Sequence, residues 1–495
     1  MSAPADLTVE PIDVDRATAM MTRRQWGGSL VAAMAMLAGG CATMSPSDER
    51  RLGQMAAQEV EQTVGLVRDP RLVGYVRQVG GRLAHVAQRP DVTWRFNVVD
   101  DPQANAFALP AGWVYVTRGL LVLLNSEDEL AGVVGHEMAH VLERHAARRV
   151  SAATPFAVIF GVPAAILGSV SPTLGGIVGG TGRLASSAVL ASYSRDQERQ
   201  ADQGGIVLAA RAGYDPAALA TFLRTLEREE ELAGQNPDRP GFFASHPATP
   251  ERVGNVETAA RAQPRAPGTP IAASRPAFVG RLEGLVVGDD PATGVFLGSL
   301  FVQPDLDVAL AMPAGWKTIN TPEVAAAVAV DGDAAVLLNL VGPGDDPVAG
   351  AKADGLPDAQ MKRVQRLQIA TLPAARLIAD TRENDRVALT WIAHRKRIFR
   401  VTGMTRSRDW AHYSAIFERT AAGFRPVAPA ERERIVESRL RLRPAAAGET
   451  VGQVLARGGG TWNAVRTAVA NGTTVAARLE AGWPVKVPVS QRYGG

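Results

Sequence analysis

Along the first half of the chain, apolar residues recur at steps of three and four. From Glu49 to Leu66 and from Arg71 to Ala87 they predict two helices, with Asp69-Pro70 between them as a stop signal. The period then shortens to two: Trp94 to Val99 and Trp113-Val114-Tyr115-Val116-Thr117 alternate as short strands, with Asn105 to Gly112 between them ending in turn chemistry. After Ser126 the helical period returns in Leu130, Val133, Val134, Met138, Val141 and Leu142, and Ser126 with Glu129 forms a capping box at its start. A further helix opens near Tyr193 and continues to about Ala212.

Between these last two helices, residues 154–182 carry no charge, a length that would allow a membrane span. Pro155, Pro163, Pro172 and two Gly-Gly pairs interrupt the run. Two readings stay open: short buried or membrane-surface helices covering a site, or a true intramembrane segment. Further on, Pro264, Pro267, Pro270 and Pro276 mark residues 263–277 as a linker, closing a first domain over 47–262. Residues 278–428 mix short alternating strands with helices, and 440–495 form a small separate module. The expected class is a multidomain α+β protein: a mainly helical domain with a small edge-strand sheet, an α+β accessory domain and the C-terminal module.

Composition narrows the classes. At 495 residues, 46% of them hydrophobic and 21% charged, the chain is a folded protein of about two to four domains. A net charge of +3, with no basic run interleaved with aromatics, argues against nucleic acid as a partner. The single cysteine, Cys41, excludes an intrachain disulfide. It ends the uncharged segment Gln25 to Gly40, which follows Arg23-Arg24 and reads as a secretory signal over residues 1–41. Leu37-Ala38-Gly39-Gly40-Cys41 resembles a lipobox, although Ala38 stands where leucine is usual. Cys41 is expected to carry a lipid; a buried cysteine or simple signal cleavage is the alternative. The acidic first twenty residues place the expected start at Met20 or Met21, and Ala42 after the cysteine favours the outer membrane, facing the periplasm.

Candidate chemistry concentrates in His136-Glu137-Met138-Ala139-His140. Residues four apart on a helix share a face, so His136 and His140 can hold one metal ion, and Glu137 between them can take a proton from the attacking water. A solvated helix face is the plain alternative. A catalytic zinc takes three protein ligands, and Ala146 stands where a third histidine of one known pattern would fall. His145 lies about 140° around the helix from His140, a surface or supporting position. Glu198 is the best third-ligand candidate, and Asp202, four residues on, can accept the outer N–H of a ligand histidine. A charged solvent face is the alternative for that pair. The strand with Val114 and Val116, together with Asn105, is read as an edge that holds extended peptide beside the metal, or simply as a hairpin packed on the helix.

These motifs, with Thr117-Arg118-Gly119-Leu120-Leu121, Tyr193-Ser194-Arg195, Gly213-Tyr214-Asp215-Pro216 and Ser245-His246-Pro247-Ala248-Thr249-Pro250-Glu251-Arg252-Val253, resemble one family. It comprises HtpX, the CAAX prenyl proteases and the periplasmic BepA-type peptidases, gluzincin zinc metallopeptidases, and the resemblance runs from about Arg50 to Val256. It implies one Zn(2+) per chain on His136, His140 and Glu198, Glu137 as general base and Asp202 as the acid behind a ligand. It also implies a gating or transition-state role for His246, for which a turn with a satisfied imidazole is the alternative. The tail, with Gly448-Glu449-Thr450, Asn471-Gly472 and Gly482-Trp483-Pro484-Val485-Lys486-Val487-Pro488, is similar to a LysM module, which would bind peptidoglycan. A small fold without glycan affinity is the alternative. The expected function is hydrolysis of peptide bonds in misassembled envelope proteins by a lipid-anchored enzyme, in contact with protein substrates and outer-membrane assembly machinery. The alternative is an envelope chaperone or peptidoglycan-binding lipoprotein with minor proteolysis.

Overall fold

Helix starts in this chain are written in short polar side chains. In the computed structural model, which describes residues 44–152, 193–233, 242, 246, 250–381 and 384–494, the Ser45 hydroxyl accepts from Asp48 N to cap α1 (Pro46–Thr63). The Asp69 carboxylate accepts from Arg71 N to cap α2 (Pro70–Ala87). Asp69-Pro70, read above as a stop, is therefore a start: proline tolerates the first helical position because its missing N–H would be unpaired there anyway. Met20, Met21, Cys41 and the charge-free run 154–182 lie outside the described residues.

Three short strands follow, β1 (Arg95–Val99), β2 (Ala106–Leu109) and β3 (Trp113–Thr117), in the order β1-β3-β2. β3 pairs parallel with β1 and antiparallel with β2. This corrects the reading of β3 as the edge. Val114 and Val116 are buried in the central strand, whose hydrogen bonds are taken on both sides, so neither can offer a free edge to a peptide. The alternation fitted a strand, but alternation does not encode strand order.

α3 (Arg118–Leu123) leads into α4 (Glu127–Leu142), which carries the H-E-x-x-H motif. Ser126 Oγ accepts from Glu129 N, while the Glu129 carboxylate turns to Asn125 N rather than closing the capping box on Ser126. Every residue of α4 from Glu129 to Val141 is buried, as expected of a helix surrounded by other elements rather than amphipathic. Its first residue anchors distant segments: the buried Glu127 carboxylate accepts from Tyr75 Oη, Tyr214 Oη, Ile271 N and Ala272 N. The elements packed around α4 are α2, β2, α6 (Arg195–Arg211) and α7 (Ala218–Ala233), with α5 (His145–Ala152) continuing from its end and α8 (Pro250–Arg261) lying on α6 and α7. The bonds from residues 271 and 272 also show that 263–277 is not a free linker. Arg82 donates to Thr269 O and Arg265 to Gly213 O, and Ala272 is in the core together with Phe278 and Val279 of α9 (Arg275–Val279). Proline spacing carries no information about burial, and Pro276 stands in the first turn of α9.

Pro291–Ile435 is a separate compact unit. Its small strands β4 (Val295–Leu297), β5 (Leu300–Gln303) and β6 (Val308–Ala311) form one sheet. β7 (Lys317–Asn320), β8 (Val324–Val328), β9 (Ala334–Pro343), β10 (Gln365–Ile369), β11 (Leu372–Asp380), β12 (Asp385–His394) and β13 (Arg397–Arg406) form an antiparallel sheet in the order β10-β11-β12-β13-β9-β8-β7. Alternate residues feed two cores, as pleating requires: Ala335 and Leu337 of β9 belong to one, and Ala334, Val336 and Leu338 to the other, which also contains Tyr413 and Phe417 of α11 (Trp410–Ala422). In the first core, α10 (Pro347–Ala353) contributes Ala351. The protein is thus mixed α+β.

The C-terminal segment returns to the first unit. β14 (Val436–Pro444), α12 (Val451–Gly458), α13 (Ala464–Ala470) and β15 (Pro484–Arg492) give a strand-helix-helix-strand order with the two strands antiparallel. Residues 284–287 run along the other side of β14, with Gly284 N on Leu440 O and Val287 N on Ser438 O. Lys486 of β15 is fully buried, and its Nζ donates to Val122 O and Leu124 O, the carbonyls at the end of α3. Arg275 spans Asn125 Oδ1, Asn471 Oδ1 and Pro484 O. The tail is thus built into the unit that holds the motif helix. Lys486→Met would leave two buried carbonyls without donors. It is expected to lower the stability of that unit by on the order of 2 kcal/mol in chemical denaturation, and an unchanged midpoint would refute the bracing role.

Candidate metal centre

Whether the motif can work depends first on how near α6 comes to α4. Gly204 and Gly205 set that distance. A Cβ on Gly205 would lie 2.7 Å from His136 N, and one on Gly204 would lie 2.7 Å from Ala139 Cβ. Gly135 faces the same seam, where an added Cβ would meet Gly205 O at 3.0 Å. Bare backbone on both sides lets the helices touch, and the first turns of α6 then deliver Glu198 and Asp202 against the histidines. The Ser194–Gln197 capping box fixes where α6 begins, so the carboxylates arrive in register.

His136 Nε2 and His140 Nε2 are 3.1 Å apart. The Glu198 carboxylate lies 3.6 Å from the first and 3.5 Å from the second. Both histidines are engaged at their outer nitrogens: His136 Nδ1 is 2.9 Å from Asp202 Oδ1, and His140 Nδ1 is 2.9 Å from His145 Nδ1. A proton on each outer nitrogen would leave the two Nε2 lone pairs facing one another, an arrangement that a cation relieves. A tetrahedral ion with ligand bonds of about 2.1 Å separates its donors by about 3.4 Å, close to the spacings here. These residues therefore fit a metal ion, with His136, His140 and Glu198 as its donors.

His246 stands at the same point. Its Nδ1 is 3.0 Å from Glu198 Oε1 and 3.2 Å from His136 Nε2, and its Nε2 is 3.4 Å from Glu137 Oε1. Candidate donor atoms of His136, His140, Glu198 and His246 all fall within 4.8 Å of one another. Phe242 stacks on His246 with centroids 4.4 Å apart, and Tyr193 stacks on His140 at 3.8 Å, so aromatic faces enclose the cluster. Glu137 is fully buried, and neither of its carboxylate oxygens has a hydrogen-bond partner among the described residues. Burial pushes its pKa up, partly offset by His246 and His136. Burial pushes Glu198 the same way, but His246 and His140 outweigh it and hold that carboxyl well below the ordinary range. The two neighbouring acids are thereby shifted in opposite directions.

Arg252 of α8 ties the outer layer together. Its guanidinium holds Asp202 through two bonds of 2.7 and 2.8 Å, lies 2.9 Å from Glu198 Oε2, and reaches His246 O at 3.4 Å. Sequence reasoning placed Arg252 in a motif but gave it no task. The signal was available: two acids on one buried helix face require a cation. Asn105 is not at the cluster in the manner expected. Its Oδ1 accepts from Ala106 N and its own N donates to Thr117 Oγ1, so it shapes the entry to β2. Val114 and Val116 are buried behind it, in β3.

Two histidines one turn apart, a carboxylate from a crossing helix and a buried glutamate beside them make a candidate metal centre. Residues 70–260 of the chain match the profile of peptidase family M48. The chain is 30% identical over 222 residues to a beta-barrel assembly-enhancing protease of Yersinia pestis, covering 44% of this chain and 45% of that protein. It is 32% identical over 212 residues to the mitochondrial metalloendopeptidase OMA1 of Schizosaccharomyces pombe, covering 42% and 60%. The beta-barrel assembly-enhancing protease of Escherichia coli K12 is 28% identical over 222 residues, covering 44% and 45%. The chain thus spans about half the length of these relatives.

The helix seam makes a direct prediction. Gly205→Ala forces backbone apart at His136 and is expected to cost about 1–3 kcal/mol and to weaken metal binding. Gly254→Ala on α8, where the added methyl meets nothing within 4 Å, is expected to be neutral or stabilising by up to about 1 kcal/mol. Thermal melts and metal titrations of the two variants side by side check this; equal behaviour would refute it.

Proposed function

We propose that the chain is a zinc metalloendopeptidase of the bacterial cell envelope, with one ion on His136, His140 and Glu198. The observation that carries the reading is the convergence of two imidazole Nε2 atoms and a carboxylate beside the unpartnered Glu137. Zinc, when bound, supplies a Lewis acid for the scissile carbonyl and the attacking water. Glu137 takes the water proton on a carboxylate oxygen and passes it to the departing amine. Asp202, with Oδ1 2.9 Å from His136 Nδ1, favours a proton on that nitrogen and so the ligand tautomer of the imidazole. His246 acts as a gate: it occupies the position a substrate or water needs and swings away on binding, a reading supported by its place among the other donors.

Substrate strand addition is proposed at β2 instead of β3. β2 lies against α4, and among the described residues no strand pairs with its far edge. The enzyme is proposed to work in the periplasm, held to the outer membrane by a lipid on Cys41, and to act on misassembled envelope proteins. The names of the relatives from Yersinia and Escherichia support a link to outer-membrane assembly. The strand-helix-helix-strand order of the tail supports a LysM-like module, with peptidoglycan as its candidate ligand. Among the described residues no helix is long and apolar enough to cross a membrane.

Glu137→Gln is expected to lower cleavage of an unfolded protein substrate by about 10²–10⁴-fold while zinc stays bound. Full activity in that variant would overturn the mechanism, and complementation of a null strain by it would favour a chaperone. His246→Ala is expected to raise the rate on a short unstructured peptide; an unchanged rate would remove the gate. Cys41→Ser is expected to move the protein from the membrane fraction to the soluble periplasm.

A further inference from the structure

The two ligand histidines are supported in different ways. Behind His136 stands a carboxylate, Asp202, braced by Arg252. Behind His140 stands a neutral ring. We infer that His145 and Gln200 form a positioning relay that sets the tautomer of His140 and links the two helices bearing the metal donors. The inference rests on the metal-site reading above.

The geometry begins at Arg144, which adopts a left-handed backbone with φ 52° between α4 and α5. That kink ends α4, so His145 does not continue around the helix at the angle its number suggests but folds back under His140. Arg144 is held in place from α1, where its Nε donates to Glu49 Oε2 at 2.8 Å, and by its contact of 2.8 Å with Met44 O. His145 is completely buried as a result. Its Nδ1 meets His140 Nδ1 at 2.9 Å and its Nε2 meets Gln200 Oε1 at 3.0 Å. Both ring nitrogens are therefore occupied, and His145 is not itself a metal donor.

Proton placement follows from the acceptor at the far end. Gln200 Oε1 can only accept, so His145 carries its proton on Nε2 and presents a lone pair at Nδ1. His140 must then donate from Nδ1, which leaves its Nε2 free of a proton and aimed at the donor cluster. The alternative tautomer would put a proton on His140 Nε2, 3.1 Å from His136 Nε2, and close the site to metal. Gln200 lies on α6, two residues beyond Glu198, so the same bonds that orient His140 also hold the helix that supplies the third donor. Tyr193, stacked on His140 and 6.0 Å in centroid distance from His145, covers the pair. The relay is uncharged, so it positions without the stronger pull that Asp202 exerts on His136.

The test is zinc affinity of the metal-stripped full chain, measured by competition with a chromophoric chelator, with wild type and His136→Ala as the brackets. His145→Ala and Gln200→Leu are each expected to raise the zinc dissociation constant by about 10–100-fold. Gln200 is exposed, so the leucine variant folds even where removal of a buried histidine does not. Gln200→Glu, which can only accept, is expected to retain wild-type affinity. The inference is overturned if Gln200→Leu binds zinc as wild type does, or if Gln200→Glu is weakened as much as Gln200→Leu, since the amide would then be the donor. A wild type that binds no more tightly than His136→Ala would instead remove the metal site itself, and the relay with it.

Discussion

The constraint on which this structure depends is the contact distance between two helices. α4 brings the histidines and α6 the acids, and nothing in either helix alone is a site. Gly204 and Gly205 against Gly135 and Ala139 let backbone meet backbone, and a single methyl at Gly205 would already intrude on His136. Glycine in a helix interior costs on the order of 1 kcal/mol relative to alanine. Here that cost falls at the one seam where closeness is required. Packing around α4 offsets it, since the helix is buried on all faces.

Closeness creates an electrostatic problem, and the fold resolves it with few groups. Glu137, Glu198 and Asp202 are buried within one small volume, and taking charges out of water is expensive unless each is paired. Arg252 answers two of them at once and holds the chain carrying His246 by the same guanidinium. Glu137 accepts no hydrogen bond from the described residues, and the group nearest to answering it is the His246 imidazole, 3.4 Å from its Oε1. A similar arrangement lies at the other end of α4, where Glu127 is fully satisfied by four donors and has a purely structural part.

Much of the centre was legible in the sequence. His136 and His140 were legible because helical spacing alone puts them on one face, and Glu198, Asp202 and His246 because they lie in motifs at characteristic spacing. Those five stand together in the structure. His145 was not legible as a partner of His140, because the angle deduced from its number assumes an unbroken helix and Arg144 breaks it. Val114 and Val116 were misplaced for a different reason: period two identifies a strand but not its neighbours, and three strands allow three choices for the centre. The prolines of 263–277 matched the absence of helix and strand as far as Ser274 but gave the wrong expectation of freedom, since the Glu127 carboxylate that captures Ile271 and Ala272 lies more than a hundred residues upstream. Such long-range pairings leave no local pattern.

Lys486 also orders events in time. The residues that would hold the metal are complete once Asp202 and His246 have been made, yet the carbonyls at the end of α3, just before the motif helix, wait for an ammonium group some 360 positions later. A ribosome elongating at about 5–20 residues per second takes tens of seconds to supply the difference. During that interval the chain holds the candidate metal ligands without the brace that completes their domain.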